Sequence, residues 1–169
     1  LTRHPAGVFV LTSPAEIEEA DVVGHDDVVL AVKLLRSQFR YTVIDTARTF
    51  TGASLAAFEQ ADRVLLVTDL SVPSIRAAKR TIDLLSRANV SPPRVELVVT
   101  EARPGGVSVE AVAHALGKQP IALLPRDEAA ATTAMNEGVL LTDGPNELAT
   151  AIGLLAARIA GIEVQQKRR

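Results

Sequence analysis

Cysteine is absent from the 169-residue sequence. Disulfide scaffolds, thiolate zinc sites, iron–sulfur clusters and cysteine nucleophiles are therefore excluded, and the absence is consistent with a reducing cytosol. The apolar runs are no longer than a strand, well below the roughly 20 residues of a membrane-spanning helix, and no signal peptide is visible. The first residue is Leu1 rather than methionine, so the start of the chain need not be the start of its gene.

An excess of positive charge is also missing. The sequence has 18 lysines and arginines against 20 aspartates and glutamates, a net charge of -2. General electrostatic binding of nucleic acids is therefore not expected. Hydrophobic residues make up 47% and charged residues 22% of the chain, as in ordinary globular proteins. The length and the lack of internal repeats predict one folded domain with a full core.

Five short segments rich in valine, leucine and isoleucine are predicted to be strands. Each is apolar on both faces for most of its length, which is typical of strands covered by helices on two sides. The five predicted strands are 8–11, 41–44, 63–67, 94–99 and 121–124.

Between these strands, apolar residues recur at helical spacing. Pro73 near the first turn of one segment, and Ser108 and Gly117 at the two ends of another, are typical helix boundaries. The predicted helices cover 28–39, 53–60, 75–85, 109–116, 128–137 and 148–159.

The alternation of strands and helices predicts an α/β fold, with a mostly parallel sheet of about five strands and helices on both faces. Right-handed crossovers place the carboxyl ends of the strands at one edge, where open α/β sheets bind ligands. We call it the carboxyl edge. The residues that reach it are Thr12 and Ser13, Asp45 and Thr46, Thr68 and Asp69, Thr100 and Glu101, and Pro125 to Asp127. Loops are generally polar, so a single polar residue in one of them does not indicate a site. The collection of several such residues at one edge is therefore the better candidate.

Glycine-rich sequences that bind phosphates or build catalytic elbows do not occur in these 169 residues. GxGxxG, GxxxxGK[ST] and GxSxG are all missing, and the Gly-Lys pair at 117–118 stands at the end of a predicted helix. The three histidines show no metal-ligand spacing. The acidic stretch 16–27 lacks the calcium-loop pattern and predicts a solvated loop followed by a helix start.

The most informative local pattern is the apolar segment 41–44 followed by Asp45 and Thr46. A buried strand that ends in aspartate places a carboxylate at the carboxyl edge. In phosphate-binding sheets such a carboxylate helps to hold Mg2+ through water. An aspartate at this position equally serves to cap a turn or a helix. The pattern alone leaves both interpretations open.

A series of segments, taken in chain order, resembles the MinD/ParA-type P-loop ATPases. The matching segments are 39–46 (similar to the Walker B strand), 55–68, 71–76, 95–100, 124–127 and 134–138. The opening residues 4–11, followed by Pro14, are most similar to the CpaE/TadZ branch, which acts in type IV pilus (Flp, tight adherence) assembly. The order of matches covers nearly all of residues 4–161.

The resemblance implies an incomplete P-loop NTPase domain. In the family, the P-loop with its two lysines, the first strand and helix, and the switch I region all precede the matching part. Residues 1–162 would then be the later part of a MinD/ParA-like ATPase domain, and residues 163–169 a basic C-terminal tail. Residues 1–169 alone would not hydrolyse ATP.

ATP or ADP and Mg2+ are the cofactors that the resemblance implies. Asp45 would be the catalytic Walker B carboxylate and would hold Mg2+ through water. The expected cofactor-binding residues are Thr46 and Gly52 in the switch II segment, Thr100 at the adenine-reading position, and Pro125 and Asp127 beside the base. Two positions depart from the family pattern. Thr100 replaces an asparagine and lacks its pair of amide hydrogen bonds, and residues 46–48 lack the usual proline.

The resemblance also implies a function. The protein would form a nucleotide-dependent homodimer that positions or assembles a pilus or secretion machine, with ATP held at the dimer face until hydrolysis releases it. Its partners would be proteins of that machinery. It would be cytoplasmic and would reach the inner membrane face or the cell pole only through those partners.

Three other functions remain open. A non-enzymatic interaction module would keep the fold with a degraded nucleotide site. Thr100 and the missing P-loop favour this alternative. A flavodoxin-like or receiver-like domain would need paired acids after its first strand and a lysine after its last, and neither is present. A DNA-partitioning ParA relative would use a basic helix face formed by Arg76, Lys79, Arg80 and Arg87. The negative net charge argues against this function.

Overall fold

The structure is a computed structural model that describes residues 1–12, 22–100 and 106–162. The chain divides into two compact units, Leu1–Ala61 and a second unit that begins at Asp62. Pro14, Glu101 and the expected tail at 163–169 lie outside the described residues. The extent of the expected domain, 1–162, stays a prediction.

The first unit contains a short hairpin and two helices. Strand β1 (Thr2–Arg3) pairs antiparallel with β2 (Phe9–Val10). Helix α1 (His25–Gln38) packs against α2 (Gly52–Gln60). Thr51 forms the N-cap of α2, because its hydroxyl accepts a hydrogen bond from the Ser54 N–H at 3.2 Å. The two helices that the apolar spacing predicts in this unit are confirmed.

Two of the predicted strands do not join a parallel sheet. In the segment 8–11 only Phe9–Val10 is a strand, and it runs antiparallel to Thr2–Arg3. The segment 41–44 forms no regular secondary structure, and Val43 is 95% exposed. The strand predicted at 8–11 is thus present in shorter, antiparallel form, whereas the prediction of a strand at 41–44 was wrong. A parallel strand forms only beside a hydrogen-bonding neighbour, and the described residues provide none for 41–44.

A charged contact joins the two helices of the first unit. At the start of α1, His25 lies 3.0 Å from Asp26 through Nδ1 and 3.1 Å from Glu59 of α2 through Nε2. Hydrogen bonds that the imidazole donates to the carboxylates of Asp26 and then Glu59 raise the pKa of His25 above its usual 6.5. The imidazole of His25 therefore links α1 to α2 through the carboxylate of Glu59.

This contact predicts a pH dependence of folding. Because the pKa of His25 is raised in the folded state, its contribution to stability is present below about pH 6.5 and is lost as the pH rises through the folded-state value. We expect the urea midpoint of the protein to fall slightly between about pH 6 and pH 8, and His25→Gln to remove that fall. His114→Gln, at an exposed position, is the control. An unchanged pH profile in His25→Gln would contradict the prediction.

The second unit is built on three parallel strands. They are β3 (Val64–Asp69), β4 (Val95–Thr100) and β5 (Pro120–Leu124), in the order β3-β4-β5. The central strand β4 is the most buried, with Leu97, Val98 and Val99 at 0–1% exposure. Successive side chains point to opposite faces of a sheet, so β4 is covered on both sides.

Helices cover the two faces of this sheet. On one face, α3 (Val72–Arg87) and α4 (Val109–Leu116) form the core with Leu97 and Val99. On the other face, Arg63 binds Glu96 at 2.7 Å and the carbonyl oxygen of Ile159 at 3.0 Å. Since Ile159 lies in α6 (Glu147–Ala160), that helix is placed on the second face.

The helix ends follow the local sequence signals. Ser108 caps α4, and Gly117 ends it with a left-handed φ of 64°, a conformation that glycine adopts without steric cost. Helix α5 (Glu128–Glu137) has the predicted bounds. The remaining elements are 3-10 turns at Pro92–Arg94 and Leu141–Asp143. In the described ranges, no helix is both long and apolar enough to cross a membrane.

The predicted fold class is confirmed. The chain has an α/β fold with a parallel sheet and helices on both faces. The sheet is smaller than expected, because the described residues contribute three parallel strands to it rather than about five.

Candidate functional site

The carboxyl edge of the second unit brings three strand ends together. In the pairing of β3 with β4, Asp69 stands opposite Thr100, and Thr100 in turn stands opposite Leu124 of β5. Neighbouring strands are about 4.8 Å apart. Thr100, Pro125 and Asp127, three of the residues that the sequence predicts for the site, therefore meet at one edge.

Asp69 carries an anchored carboxyl group at this edge. Its Oδ1 atom accepts a hydrogen bond from the Ser71 N–H at 2.8 Å. Hydrogen bonds from the Ser71 hydroxyl and N–H, followed by that of Ser74 and the positive charge of Arg126, lower the pKa of Asp69 below its usual 3.8. The edge thus holds a carboxylate that stays ionised and is anchored to the start of α3.

Thr100 ends the central strand and bonds back to the sheet. Its Oγ1 hydroxyl donates to the carbonyl oxygen of Thr68 at 3.3 Å. A hydroxyl has one donor hydrogen, so this bond uses the only proton that Thr100 has to offer. The side chain retains acceptor capacity toward a ligand but cannot present the donor and acceptor pair of an amide.

Asp127 begins helix α5. Its Oδ1 atom accepts a hydrogen bond from the Ala130 N–H at 2.9 Å, as an N-cap does. Arg126 is exposed and pairs with Glu128. The N-cap role of Asp127 is therefore realised through one carboxylate oxygen, and the second oxygen is the atom that could accept a hydrogen bond from a ligand.

These contacts indicate what the edge can do by itself. One polar atom each of Asp69, Thr100 and Asp127 already has a partner in the protein. Among the described residues, no glycine-rich turn joins a strand of this sheet to the start of a helix, so these residues do not supply the cradle of backbone N–H groups that holds phosphates in P-loop sites. The described residues of the edge thus offer hydrogen-bond acceptors to a ligand but no phosphate cradle.

Asp45, Thr46 and Gly52 lie in the first unit. Asp45 is exposed and Thr46 half-buried, in a segment without regular secondary structure. Gly52 is the first residue of α2, and a Cβ atom added there would meet nothing within 4 Å. The structure thus places these three residues along one stretch of chain that ends at the first residue of α2.

The carboxylate of Asp45 suits a magnesium ion held through water. Mg2+ retains several waters and is bound through one or two carboxylates together with substrate phosphates. No group of three or more histidine, aspartate or glutamate side chains able to hold a metal occurs in the described part of the chain. An exposed carboxylate such as that of Asp45 is compatible with a hydrated Mg2+ that a nucleotide would bring.

Asp69 lies at the candidate site but was not among the site residues predicted from the sequence. It stands among the polar strand ends, but only the segment around Asp45 resembles a known family strand. A serine two residues after a strand-terminal aspartate and a proline within the next helical turn are the signal that could have identified it. That pattern predicts an aspartate bonded to the start of a helix.

The chain is similar in sequence to a MinD protein. It is 27% identical to the septum site-determining protein MinD of Thermotoga maritima over 169 aligned residues. The alignment covers 95% of this chain and 62% of the Thermotoga protein. The chain therefore spans less than two thirds of the length of that relative. No family model matches it.

Solved structures of ATPases share its fold. A ParA family ATPase from Chlorobium tepidum superposes with a TM-score of 0.80 at 19% identity, over 87% of this chain and 62% of that one. MinD in the MinC:MinD complex of Aquifex aeolicus gives 0.72 at 23% identity, over 87% and 63%. MinD of Pyrococcus horikoshii, complexed with Mg-ADP, gives 0.73 at 17% identity, over 90% and 64%.

The resemblance to MinD/ParA-type P-loop ATPases is thus confirmed, in sequence by a MinD protein and in fold by both MinD and ParA structures. The fold is that of a MinD/ParA-like ATPase.

Proposed function

We propose that this chain is the later part of a MinD/ParA-type ATPase domain, and that its own residues supply the Walker B carboxylate and the base-flanking edge. The phosphate-binding part would come from residues upstream of Leu1. By itself the chain would not hydrolyse ATP.

The observation that carries this proposal is the open side of β3. Within the described residues β3 pairs with β4 alone and has an unpaired edge on its other side. Leu65 and Val67 are 38% and 58% exposed, whereas Val98, on the same face of β4, is 1% exposed. An apolar, unpaired edge strand is a liability that proteins cover. An upstream strand beside β3, followed by a helix over Leu65 and Val67, would cover both.

A second exposed segment supports the same proposal. Tyr41, Val43 and Ile44 are 54%, 95% and 40% exposed, although valine and isoleucine favour strands. An apolar segment ending in Asp45 has the composition of a buried parallel strand. The upstream part of the domain would supply its hydrogen-bonding neighbour, and Asp45 would then stand at a strand end, as the Walker B resemblance implies.

The roles of the site residues follow from their chemistry. A nucleotide with Mg2+ supplies a phosphate chain and a hydrated cation whose charge must be balanced. The carboxylate of Asp45 would orient a metal-bound water, with Thr46 and Gly52 in the segment that follows. At the edge of the second unit, Pro125 and Asp127 would flank the base. Thr100, whose hydroxyl proton is engaged by Thr68, would accept a hydrogen bond from it.

The finer role that we propose is the positioning or assembly of a pilus or secretion machine, through nucleotide-dependent dimerisation in the cytoplasm. The CpaE/TadZ-like opening at 4–11 supports this role. The MinC:MinD complex of Aquifex aeolicus illustrates a relative that binds a protein partner, and we infer that machinery proteins bind this chain at the inner membrane face or the cell pole.

A non-enzymatic interaction module is the second candidate. The observation that favours it is Thr100, which stands at the position of the expected base-reading asparagine and donates its proton to Thr68 instead. In this alternative the fold is kept as a scaffold, and the helix surfaces rather than the carboxyl edge carry the function.

A calorimetric titration tests the proposal. We expect the 169-residue chain to bind Mg-ATP weakly or not at all, because its described residues form no phosphate cradle. A protein extended upstream through a GxxxxGK[ST] sequence is expected to bind with a micromolar Kd, about 8 kcal/mol of binding free energy. Reading the gene upstream of the Leu1 codon gives the sequence needed for that protein.

The outcomes separate the two candidates. Micromolar binding by the 169-residue chain would contradict the need for an upstream phosphate site. An upstream region without a P-loop, or an extended protein that does not bind Mg-ATP, would favour the interaction module.

A further inference from the structure

One face of β3 carries a row of side chains that is complementary to itself. Leu66 packs against the core cluster, and successive side chains of a strand point to opposite faces, so its neighbours in the chain lie on the other face. In order, this row is a cation, two exposed apolar residues and an anion, namely Arg63, Leu65, Val67 and Asp69. A second row turned end for end would set anion against cation and apolar residues against each other.

The backbone of β3 has hydrogen-bonding groups directed at its open side. The carbonyl oxygen of Thr68 faces β4, where it accepts the hydroxyl proton of Thr100. Backbone groups of successive strand residues point alternately to the two sides, so the N–H and C=O groups of Leu65 and Val67 point away from β4. Within the described residues β3 pairs with β4 alone, so these groups have no strand partner there.

We propose that β3 pairs antiparallel with β3 of a second copy of this chain, about a two-fold axis at Leu66. Leu65 then stands opposite the partner's Val67, and the two residues exchange both of their backbone hydrogen bonds. The two-fold axis repeats this pair, which gives about four such bonds. Leu65 and Val67 of both copies cover one another, and the sheets join into one with three strands from each copy.

The charges at the ends of the row favour a second copy as the partner. In this register Arg63 stands opposite the partner's Asp69, and opposite charges directly across an antiparallel pair stabilise it. Asp69 stays ionised because hydrogen bonds from Ser71 lower its pKa. Arg63 has five N–H donors, of which Glu96 and Ile159 engage two. An in-register parallel pairing would instead place like charges opposite each other.

The other edge of the sheet is less suited to a second copy. Strand β5 begins at Pro120, which has no N–H to donate, and the carbonyl oxygen of Ile121 accepts a hydrogen bond from Arg158 at 2.9 Å. Proline and charged side chains are means by which proteins keep edge strands from pairing. The residues between Arg63 and Asp69 include neither, so β3 is the edge open to pairing.

This pairing is separate from a nucleotide-dependent dimer, because it uses a strand edge and needs no nucleotide. In a protein extended upstream, the strand that we propose beside β3 would occupy the same edge. We therefore expect the pairing in the 169-residue chain and its loss in the extended protein.

Sedimentation equilibrium without nucleotide tests the pairing. We expect the 169-residue chain to form a weak dimer, as small interfaces do, that is detectable at about 100 μM protein. Leu65→Lys combined with Val67→Lys places like charges opposite each other across the axis, and we expect it to weaken dimerisation at least about tenfold. Val67→Lys alone, at the more exposed of the two positions, is expected to weaken it less.

A charge exchange tests the antiparallel register. Leu65→Glu combined with Val67→Glu is expected to weaken dimerisation as the lysine variant does. A mixture of the two variants is expected to associate again, because each lysine then faces a glutamate, and this recovery also shows that both variants are folded. Leu123→Lys, at an exposed position of β5, is the matched control and is expected to leave dimerisation within about twofold.

Three results would overturn the inference. One is a 169-residue chain that stays monomeric at the stated concentration. Another is equal weakening by the lysine variant of β3 and by Leu123→Lys. The third is a mixture of the lysine and glutamate variants that does not associate. A lysine-sensitive dimer that persists in the extended protein would support the pairing and contradict the upstream strand beside β3, so failure of this inference and failure of the proposed function are distinguishable.

Discussion

Replacement of Leu97 by alanine is expected to destabilise the protein by about 2–5 kcal/mol, the usual cost of removing a buried leucine side chain. Leu97 is 0% exposed on the central strand β4 and belongs to the core cluster with Ala78, Val99, Val112 and Leu116. The cavity would open between the sheet and two helices, where the backbone has little freedom to collapse. Urea unfolding followed by circular dichroism measures the loss.

The matched control is Leu123→Ala on the neighbouring strand β5. Leu123 is 45% exposed, so its truncation removes less buried surface and is expected to cost about 1 kcal/mol or less. Equal losses in the two variants would contradict a core centred on β4. Because small domains are stable by only about 5–15 kcal/mol, the predicted loss at Leu97 is a large part of the total.

The fold of the second unit could be predicted from the sequence because its patterns are complete within the chain. The strand at 94–99 became Val95–Thr100, and the helix at 128–137 was predicted to the residue. Serine, asparagine or aspartate caps and glycine stops act within one turn, so they need no distant partner. Apolar runs flanked by such helices form strands once a hydrogen-bonding neighbour lies beside them, as β4 lies beside β3 and β5.

The strand predicted at 41–44 does not form, for the opposite reason. Its composition predicts a strand, but strand formation depends on backbone partners elsewhere in the chain, and composition does not reveal whether they are present. The same dependence explains why β3 carries exposed Leu65 and Val67 at an unpaired edge. The sequence thus predicts the preference of each segment, and the available neighbours decide which preferences are realised.

The candidate site could be predicted only in part. The order of strands brings Thr100, Pro125 and Asp127 to one edge, as the parallel topology requires. The hydrogen bonds that engage them, from Thr100 to Thr68 and from Ala130 to Asp127, depend on rotamers that no pattern of residue types reports. The catalytic role of Asp45 stays a prediction. It can be tested by removing the charge of the carboxylate.

Replacement of Asp45 by asparagine is expected to lower ATP turnover about 100-fold or more in the protein that includes an upstream P-loop. The substitution keeps the shape of the side chain and removes the charge that would orient a water on Mg2+, and the loss of one such electrostatic contact commonly costs about 100-fold or more. Turnover is measured as phosphate release at saturating Mg-ATP, with a series of Mg2+ concentrations.

The control for this variant is Asp143→Asn, since Asp143 is an exposed aspartate in a 3-10 turn of the second unit. It changes the net charge equally and is expected to leave turnover within about twofold. Because Asp45 is exposed, asparagine there should not disturb folding, and circular dichroism of both variants checks this. Undiminished turnover in Asp45→Asn would remove Asp45 from the metal site. Reduced turnover that high Mg2+ partly restores would assign its role to holding the ion rather than to shaping the loop before α2.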